Sequence, residues 1–262
     1  MPFWDHLEEL RRRFLRAFAA VGAAAFAVFS FGVGWVPAGP LSLPFPYPTF
    51  TDTLAASFFR LLSSLQLPAG VRLAAIHPAD TFTVHIMDSL FLGLAAAMPV
   101  VLREIGAFVG PGLQESERRL LRRWVVPGTL LFAAGALLAF FLVLPLTFQL
   151  LHQLNEAYGV ESFWRVTDFV SLVLLFLLAF GLIFQMPLLM VLLTSTGLVS
   201  ARGWREGWRM AVIAIFVFAA VITPDASGVT QLMVALPMMG LYFAGVGAAG
   251  RVEKAYKRPR GA

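Results

Sequence analysis

The chain has 262 residues, of which 59% are hydrophobic and only 13% are charged, with a net charge of +5. An average soluble domain has about 25% charged residues, so this chain has too few to cover a water-soluble globule. Its Lys and Arg residues stand in short clusters between apolar runs, which argues against a nucleic-acid-binding face on a soluble core. The absence of cysteine excludes disulfides and thiolate metal sites.

Six apolar segments are separable as membrane spans, and the fifth is short. They cover residues 17–36, 81–102, 124–146, 169–193, 210–222 and 230–250. The first run is longer than a signal-peptide core and predicts a retained span. We therefore expect an all-α membrane protein with six transmembrane helices, in which residues 1–262 form a single integral membrane domain.

Basic residues alternate between the connecting segments. If the segments are assigned in turn to the two sides of a membrane, seventeen of the twenty Lys and Arg residues fall on one side. Positive charge is retained in the cytoplasm, so both termini are predicted to be cytoplasmic, in a multi-pass protein of the cytoplasmic (inner) membrane.

The first external connection, residues 37–80, is rich in proline, and its middle, residues 51–67, has the pattern of an amphipathic helix. We expect an ordered cap there, because those apolar side chains need cover. Prolines in or near the ends of four spans should bend them, which favours a concave bundle: Pro99, Pro145, Pro187 and Pro237.

Two acidic motifs lie on the predicted cytoplasmic side. Glu8 and Glu9 precede Arg12 and Arg13 by four residues on an amphipathic N-terminal helix, a pattern that spacing alone explains as helix-supporting ion pairs of an interfacial anchor. Glu117 follows a Gly-Pro-Gly break, near a new helix N-terminus that favours acids. The functional alternative is that Glu9 and Glu117 converge as receptors for a cationic ligand.

Four motifs occur in order along the chain. They are His-Leu-Glu-Glu-Leu-Arg-Arg-Arg at 6–13, Ala-Phe-Val-Gly-Pro-Gly-Leu followed by Glu-Arg-Arg within 107–119, Phe-Gly-Leu-Ile-Phe-Gln-Met-Pro at 180–187 and Thr-Pro-Asp at 223–225. Together they resemble the TatC family, the signal-peptide receptor of the twin-arginine protein translocase. The resemblance spans nearly the whole chain.

This resemblance implies a concave, glove-like bundle of six helices with a structured periplasmic cap. It implies a receptor and scaffold that has no catalytic residues, cofactor or metal. Such a receptor binds the Arg pair in the signal peptides of folded proteins, whose export is driven by the proton-motive force. The implied partners are the single-span proteins TatA and TatB and the lipid bilayer, and a homo-oligomer within the complex is compatible with it.

Site residues follow from the motif positions. Glu9 and Glu117 match the acids that recognise the Arg pair, Phe108 matches an aromatic residue of the same loop, and Leu10 and Arg11 belong to the N-terminal motif. Guanidinium groups suit carboxylates because they bind them in a bidentate manner.

The remaining polar residues have structural explanations beside functional ones. Gln185 stands where many family members have Glu, so we expect a neutral contact to a partner helix or, near Pro187, an amide that satisfies disturbed backbone. Asp225 is a turn residue or an assembly residue, and Glu104 is an interfacial ion-pair member.

Without the family resemblance, the residues leave two other classes of function to consider. A small-solute secondary transporter could use Gln185, His85 and Asp88 as a site at the middle of the membrane. His85 and Asp88 are spaced i,i+3, but two ligands are weak support for a metal, and a buried hydrogen-bonded pair is expected. An intramembrane enzyme would need a nucleophile and a base, and no such motif is present.

Overall fold

The computed structural model describes residues 3–38, 41–109, 115–223 and 228–257. The helices there are α1 (Phe3–Ser30), α2 (Leu54–Gln66), α3 (Asp80–Val109), α4 (Glu115–Leu138), α5 (Leu144–Ala157), α6 (Val166–Ile183), α7 (Met186–Ser195), α8 (Ala201–Glu206), α9 (Trp208–Ile222) and α10 (Val229–Lys257). The strands are β1 (Phe31–Ala38), β2 (Leu41–Pro48), β3 (Arg72–Ala74) and β4 (Phe163–Arg165).

Five helical stretches of the described chain are long and apolar enough to cross a membrane. They are Leu7–Ser30, Asp80–Phe108, Trp124–Ala157, Val166–Ser195 and Val229–Lys254. The shorter apolar helix α9 occupies the place of the short fifth segment. The prediction of an all-α membrane protein is therefore confirmed, with short strands added in the connections.

The first helix differs from its predicted bounds. It begins at Phe3, so the amphipathic N-terminal motif and the first apolar run form one helix, and it ends at Ser30 rather than at residue 36. The chain then enters β1, because Gly32 and Gly34 are poor helix formers. A Cβ atom at Gly32 would also collide with the carbonyl oxygen of Asp52, so only glycine fits there.

The hairpin of β1 and β2 explains how a strand accommodates alternate prolines. Its register pairs Pro44, Pro46 and Pro48 with Trp35, Val33 and Phe31. A proline cannot donate a ladder hydrogen bond, so all three must occupy the non-hydrogen-bonded positions, where the backbone nitrogen faces away from β1. The sequence had indicated only a proline-rich connection.

Helix α2 confirms the predicted amphipathic helix of the cap. The hydroxyl of Thr53 caps it by accepting a hydrogen bond of 3.1 Å from the backbone N–H of Ala56. Leu62 is fully buried, and the rings of Phe58 and Phe91 stack with centroids 5.7 Å apart, so α2 lies against α3.

A second contact joins the segment before α3 to the segment between α5 and α6. Strand β3 pairs in parallel with β4, where Ala74 lies opposite Arg165. The guanidinium of Arg165 donates to both carboxylate oxygens of Asp80, at 2.6 and 3.1 Å. Asp80 also accepts the backbone N–H groups of Ile76 and His77, so one buried carboxylate orders the turn before α3 and holds β4.

The chain forms two compact units. The first consists of Met1–Val101 and Thr147–Leu175, and the rings of Phe148, Phe169 and Trp164 pack together in its core.

The second unit consists of Leu102–Leu146 and Phe176–Ala262. In this unit α10 packs on α7, where Gly245 lies against Met190. Helix α10 also packs on α9, where the side-chain amide of Gln231 donates a hydrogen bond of 2.9 Å to the carbonyl of Phe216. A π-helical turn, Ala139–Val143, connects α4 to α5.

Candidate functional site

Glu9 lies in the second turn of α1, where its carboxylate binds the guanidinium group of Arg13. Arg13 donates to its Oε1 from Nε at 3.0 Å and from Nη2 at 2.5 Å. The side chain of Glu9 is 23% exposed, whereas that of Glu8, 3.5 Å from Arg12, is 71% exposed. The i,i+4 pairs expected from spacing are therefore present, and the Glu9 pair is the tighter and less solvated of the two.

The apolar side of α1 is largely uncovered in the chain. Trp4, Phe14 and Phe18 are exposed, and the rings of Phe14 and Phe18 stack 6.3 Å apart. Leu10 and Arg11 are also exposed. Exposed aromatic rings beside arginines are typical of a helix that leaves the membrane at its interface.

The other receptor candidates lie at the connection between α3 and α4. Phe108 is half-buried near the end of α3, and Glu104 is buried one turn earlier. Glu117 is the third residue of α4, where the helix dipole favours an acid, but its side chain lies outside the described residues. Asp225 also lies outside them.

Gln185 is buried at the break between α6 and α7. Its backbone N–H bonds to the carbonyl of Leu182 rather than to that of Gly181, as the helix tightens before Pro187. Its side-chain Nε2 donates to Gly181 O at 3.4 Å and, across to α4, to Gly128 O at 3.0 Å. The amide thus satisfies disturbed backbone, as predicted, although at Gly181 and not at the carbonyl freed by Pro187.

The carbonyl of Gly128 was not predicted as a partner of Gln185. The two residues are 57 positions apart, and sequence spacing cannot reveal such a pair. The signal that could have indicated it is the Pro127–Gly128 step inside an apolar helix, because glycine lets a neighbouring side chain reach the backbone. Gln185 Oε1 is buried without a hydrogen-bond partner among the described residues.

The prediction that His85 and Asp88 form a buried hydrogen-bonded pair is wrong. The Nε2 of His85 lies 3.1 Å from the carbonyl oxygen of Phe29 and 3.4 Å from the hydroxyl of Thr53. Asp88 is fully buried, and within the described chain neither of its carboxylate oxygens has a hydrogen-bond partner. The described residues also contain no group of three or more acidic or histidine side chains that could hold a metal ion.

Comparison with known proteins gives consistent matches. A family model described as Sec-independent protein translocase protein (TatC) matches residues 5–237. The TatC protein of Cenarchaeum symbiosum is 39% identical over 257 residues, which cover 98% of this chain and 97% of that protein. The chloroplastic TATC of Arabidopsis thaliana is 35% identical, over 94% of this chain and 65% of the relative.

Solved structures agree with these sequence matches. A crystal structure of the twin-arginine translocase receptor TatC superposes with a TM-score of 0.74 at 27% identity, over 94% of this chain and 99% of the other. A second crystal structure of that receptor, in the detergent DDM, gives a TM-score of 0.75 at 28% identity, over 93% and 99% of the two chains.

Proposed function

The chain belongs to the TatC family of Sec-independent protein translocase proteins, and on this premise we propose that Glu9 and Glu117 hold the paired arginines of a twin-arginine signal peptide. Family membership makes the chain a multi-pass receptor component of the twin-arginine translocase. The alternative of a small-solute transporter is not supported. The relatives of this chain are named as protein translocase components. We infer that the chain catalyses no reaction of its own.

The observation that carries the proposal is the Glu9–Arg13 pair. A partly exposed carboxylate near the start of α1 already accepts two guanidinium hydrogen bonds. An incoming arginine can therefore replace Arg13 at little cost, because one charge-assisted pair is exchanged for another. Lysine lacks the planar fork and should compete poorly.

We expect the double variant Glu9→Gln, Glu117→Gln to lose binding of a twin-arginine peptide. Loss of one hydrogen bond to a charged group costs about 1.5–3 kcal/mol, so each single variant should weaken binding roughly 10- to 100-fold. Fluorescence anisotropy of a labelled peptide, with purified protein in detergent, measures this. A peptide with two lysines in place of the arginines should bind as weakly to the wild-type protein as the arginine peptide does to the double variant.

The matched control is Glu8→Gln, which removes the neighbouring exposed carboxylate and should leave binding within about twofold. Added salt should weaken the wild-type complex without abolishing it, because the pair is partly desolvated. Unchanged affinity in the double variant would refute the assignment of these two acids.

We further propose that Gln185 contributes to docking of a partner's transmembrane helix. Its Oε1 is one of several buried acceptors that have no hydrogen-bond partner within the described residues. A hydrogen bond of this kind inside a membrane is worth about 1 kcal/mol, so Gln185→Leu should weaken crosslinking to TatA- or TatB-type proteins about fivefold and slow transport. Signal-peptide binding should persist, and Gln185→Glu should be tolerated.

The control for that experiment is Gln231→Leu, because Gln231 also donates its amide to a backbone carbonyl of another helix. If Gln185→Leu and Gln231→Leu affect partner crosslinking equally, the role of Gln185 is confined to its own chain.

The orientation of the chain is also a proposal. The seventeen-to-three distribution of Lys and Arg supports cytoplasmic termini and an external cap. The TatA- and TatB-type partners named above, and a homo-oligomer within the complex, belong to the same proposal; the family places the chain in the translocase without identifying them.

A further inference from the structure

A cavity lies at the start of α9, where α9 meets α10. Its volume is about 290 Å³, and it is lined by Arg205, Trp208, Phe243 and Val246. All four residues belong to the second compact unit. The cavity has a basic side and an aromatic, apolar side, the combination found where a helix leaves the hydrocarbon region of a membrane.

Basic residues outnumber acidic ones at these helix ends, so the cavity lies in a region of net positive charge. Glu206 is engaged by Arg202 at 2.6 Å, and Glu253 accepts the backbone N–H of Ala201 at 2.8 Å. Within the described residues Arg205 forms no ion pair. Further basic residues close to these helix ends are Arg209, Arg251 and Lys254, and the guanidinium of Arg209 lies 5.8 Å from the ring centroid of Trp208.

The apolar side of the cavity continues along the exposed surface of α9. Trp208 and Phe243 are each almost half exposed, and Met210 and Ile213 extend the exposed apolar surface along α9. At Gly247, one turn beyond Phe243, an added Cβ would meet nothing within 4 Å, so α10 leaves space beside the cavity.

We propose that this cavity binds the head group of an anionic phospholipid. Arg205 holds the phosphate through its guanidinium fork, the aliphatic part of Arg205 and the ring of Trp208 cover the glycerol region, and the acyl chains follow Phe243 and the exposed face of α9. The basic cluster selects a lipid with a net negative charge over a zwitterionic one. The same cluster repels the arginines of a signal peptide, so this site is distinct from that of Glu9.

The test is native mass spectrometry of the full chain in neutral detergent after delipidation and titration with phosphatidylglycerol or phosphatidylcholine. We expect phosphatidylglycerol to bind the wild-type protein with higher affinity and Arg205→Gln to weaken that binding about fivefold. Arg205→Lys, which keeps the charge but not the fork, should fall between the two. Arg202→Gln is the control, because Arg202 is already paired with Glu206, and it should bind like the wild type.

Three results would overturn the proposal. The first is equal binding of phosphatidylglycerol by the wild-type protein and Arg205→Gln, with both shown to be folded by circular dichroism. The second is binding of glycerol 3-phosphate as tightly as phosphatidylglycerol, which would make the site one for a soluble phosphate. The third is equal affinity for phosphatidylcholine and phosphatidylglycerol, which would remove the selection by charge.

Discussion

Arg165→Met is expected to lower the melting temperature of the purified protein more than removal of any other ion pair among the described residues. The side chain of Asp80 is 3% exposed, and Arg165 is its cationic partner. Loss of the guanidinium leaves a buried charge with only two backbone donors, at Ile76 and His77. The hydrogen bond to Asp80 also raises the pKa of Arg165, so the guanidinium remains charged at every physiological pH.

Thermal unfolding in detergent, followed by circular dichroism, measures this effect. Arg202→Met is the matched control: it breaks an ion pair in which both side chains are mostly exposed, and it should change the melting temperature little. The double variant Asp80→Asn, Arg165→Met should recover part of the loss, because no unpaired charge remains. Equal melting temperatures for Arg165→Met and Arg202→Met would show that the bridge between the two connections does not stabilise the first unit.

Gly93→Ala is expected to destabilise the protein by about 1–3 kcal/mol, although alanine is the better helix former. Gly93 is buried in α3, and a Cβ atom there would lie 2.5 Å from the backbone nitrogen and 2.6 Å from the Cα of Ala25 in α1. The colliding atoms are backbone, so no rotamer change relieves the overlap, and α1 and α3 have to move apart.

Gly22→Ala provides the comparison within the same pair of helices. A Cβ at Gly22 would meet nothing within 4 Å, so this variant should be as stable as the wild type or more stable. Both variants can be compared by melting temperature and by resistance to proteolysis in detergent. A Gly93→Ala protein that matches Gly22→Ala would mean that the contact between α1 and α3 at Ala25 is looser than the structure shows.

The sequence predicted those parts of the fold that depend on neighbours along the chain. Apolar runs longer than twenty residues located most spans, because the length of a span follows from membrane thickness. The amphipathic pattern of α2 was equally informative. The β1–β2 hairpin was missed because alternate prolines, read without a pairing partner, indicate a loop. Their compatibility with a strand depends on the register, which no local pattern contains.

The same limit applies to the polar contacts. The Glu9–Arg13 pair was visible in the sequence because its members are four residues apart on one helix. The contacts of Gln185 with Gly128 and of Asp80 with Arg165 join residues 57 and 85 positions apart, and they exist only after packing. For His85 and Asp88, proximity on one helix was misleading, because the hydrogen-bond partners of His85 are Phe29 in α1 and Thr53 at the start of α2.

The prolines of β2 also determine what can attach to the cap from outside. A strand that docks on an exposed edge needs N–H donors and carbonyl acceptors in alternation. On the outer edge of β2, Pro44, Pro46 and Pro48 supply acceptors and no donors at three successive sites. An extended polypeptide that reaches this edge of β2 therefore finds no template for a third strand.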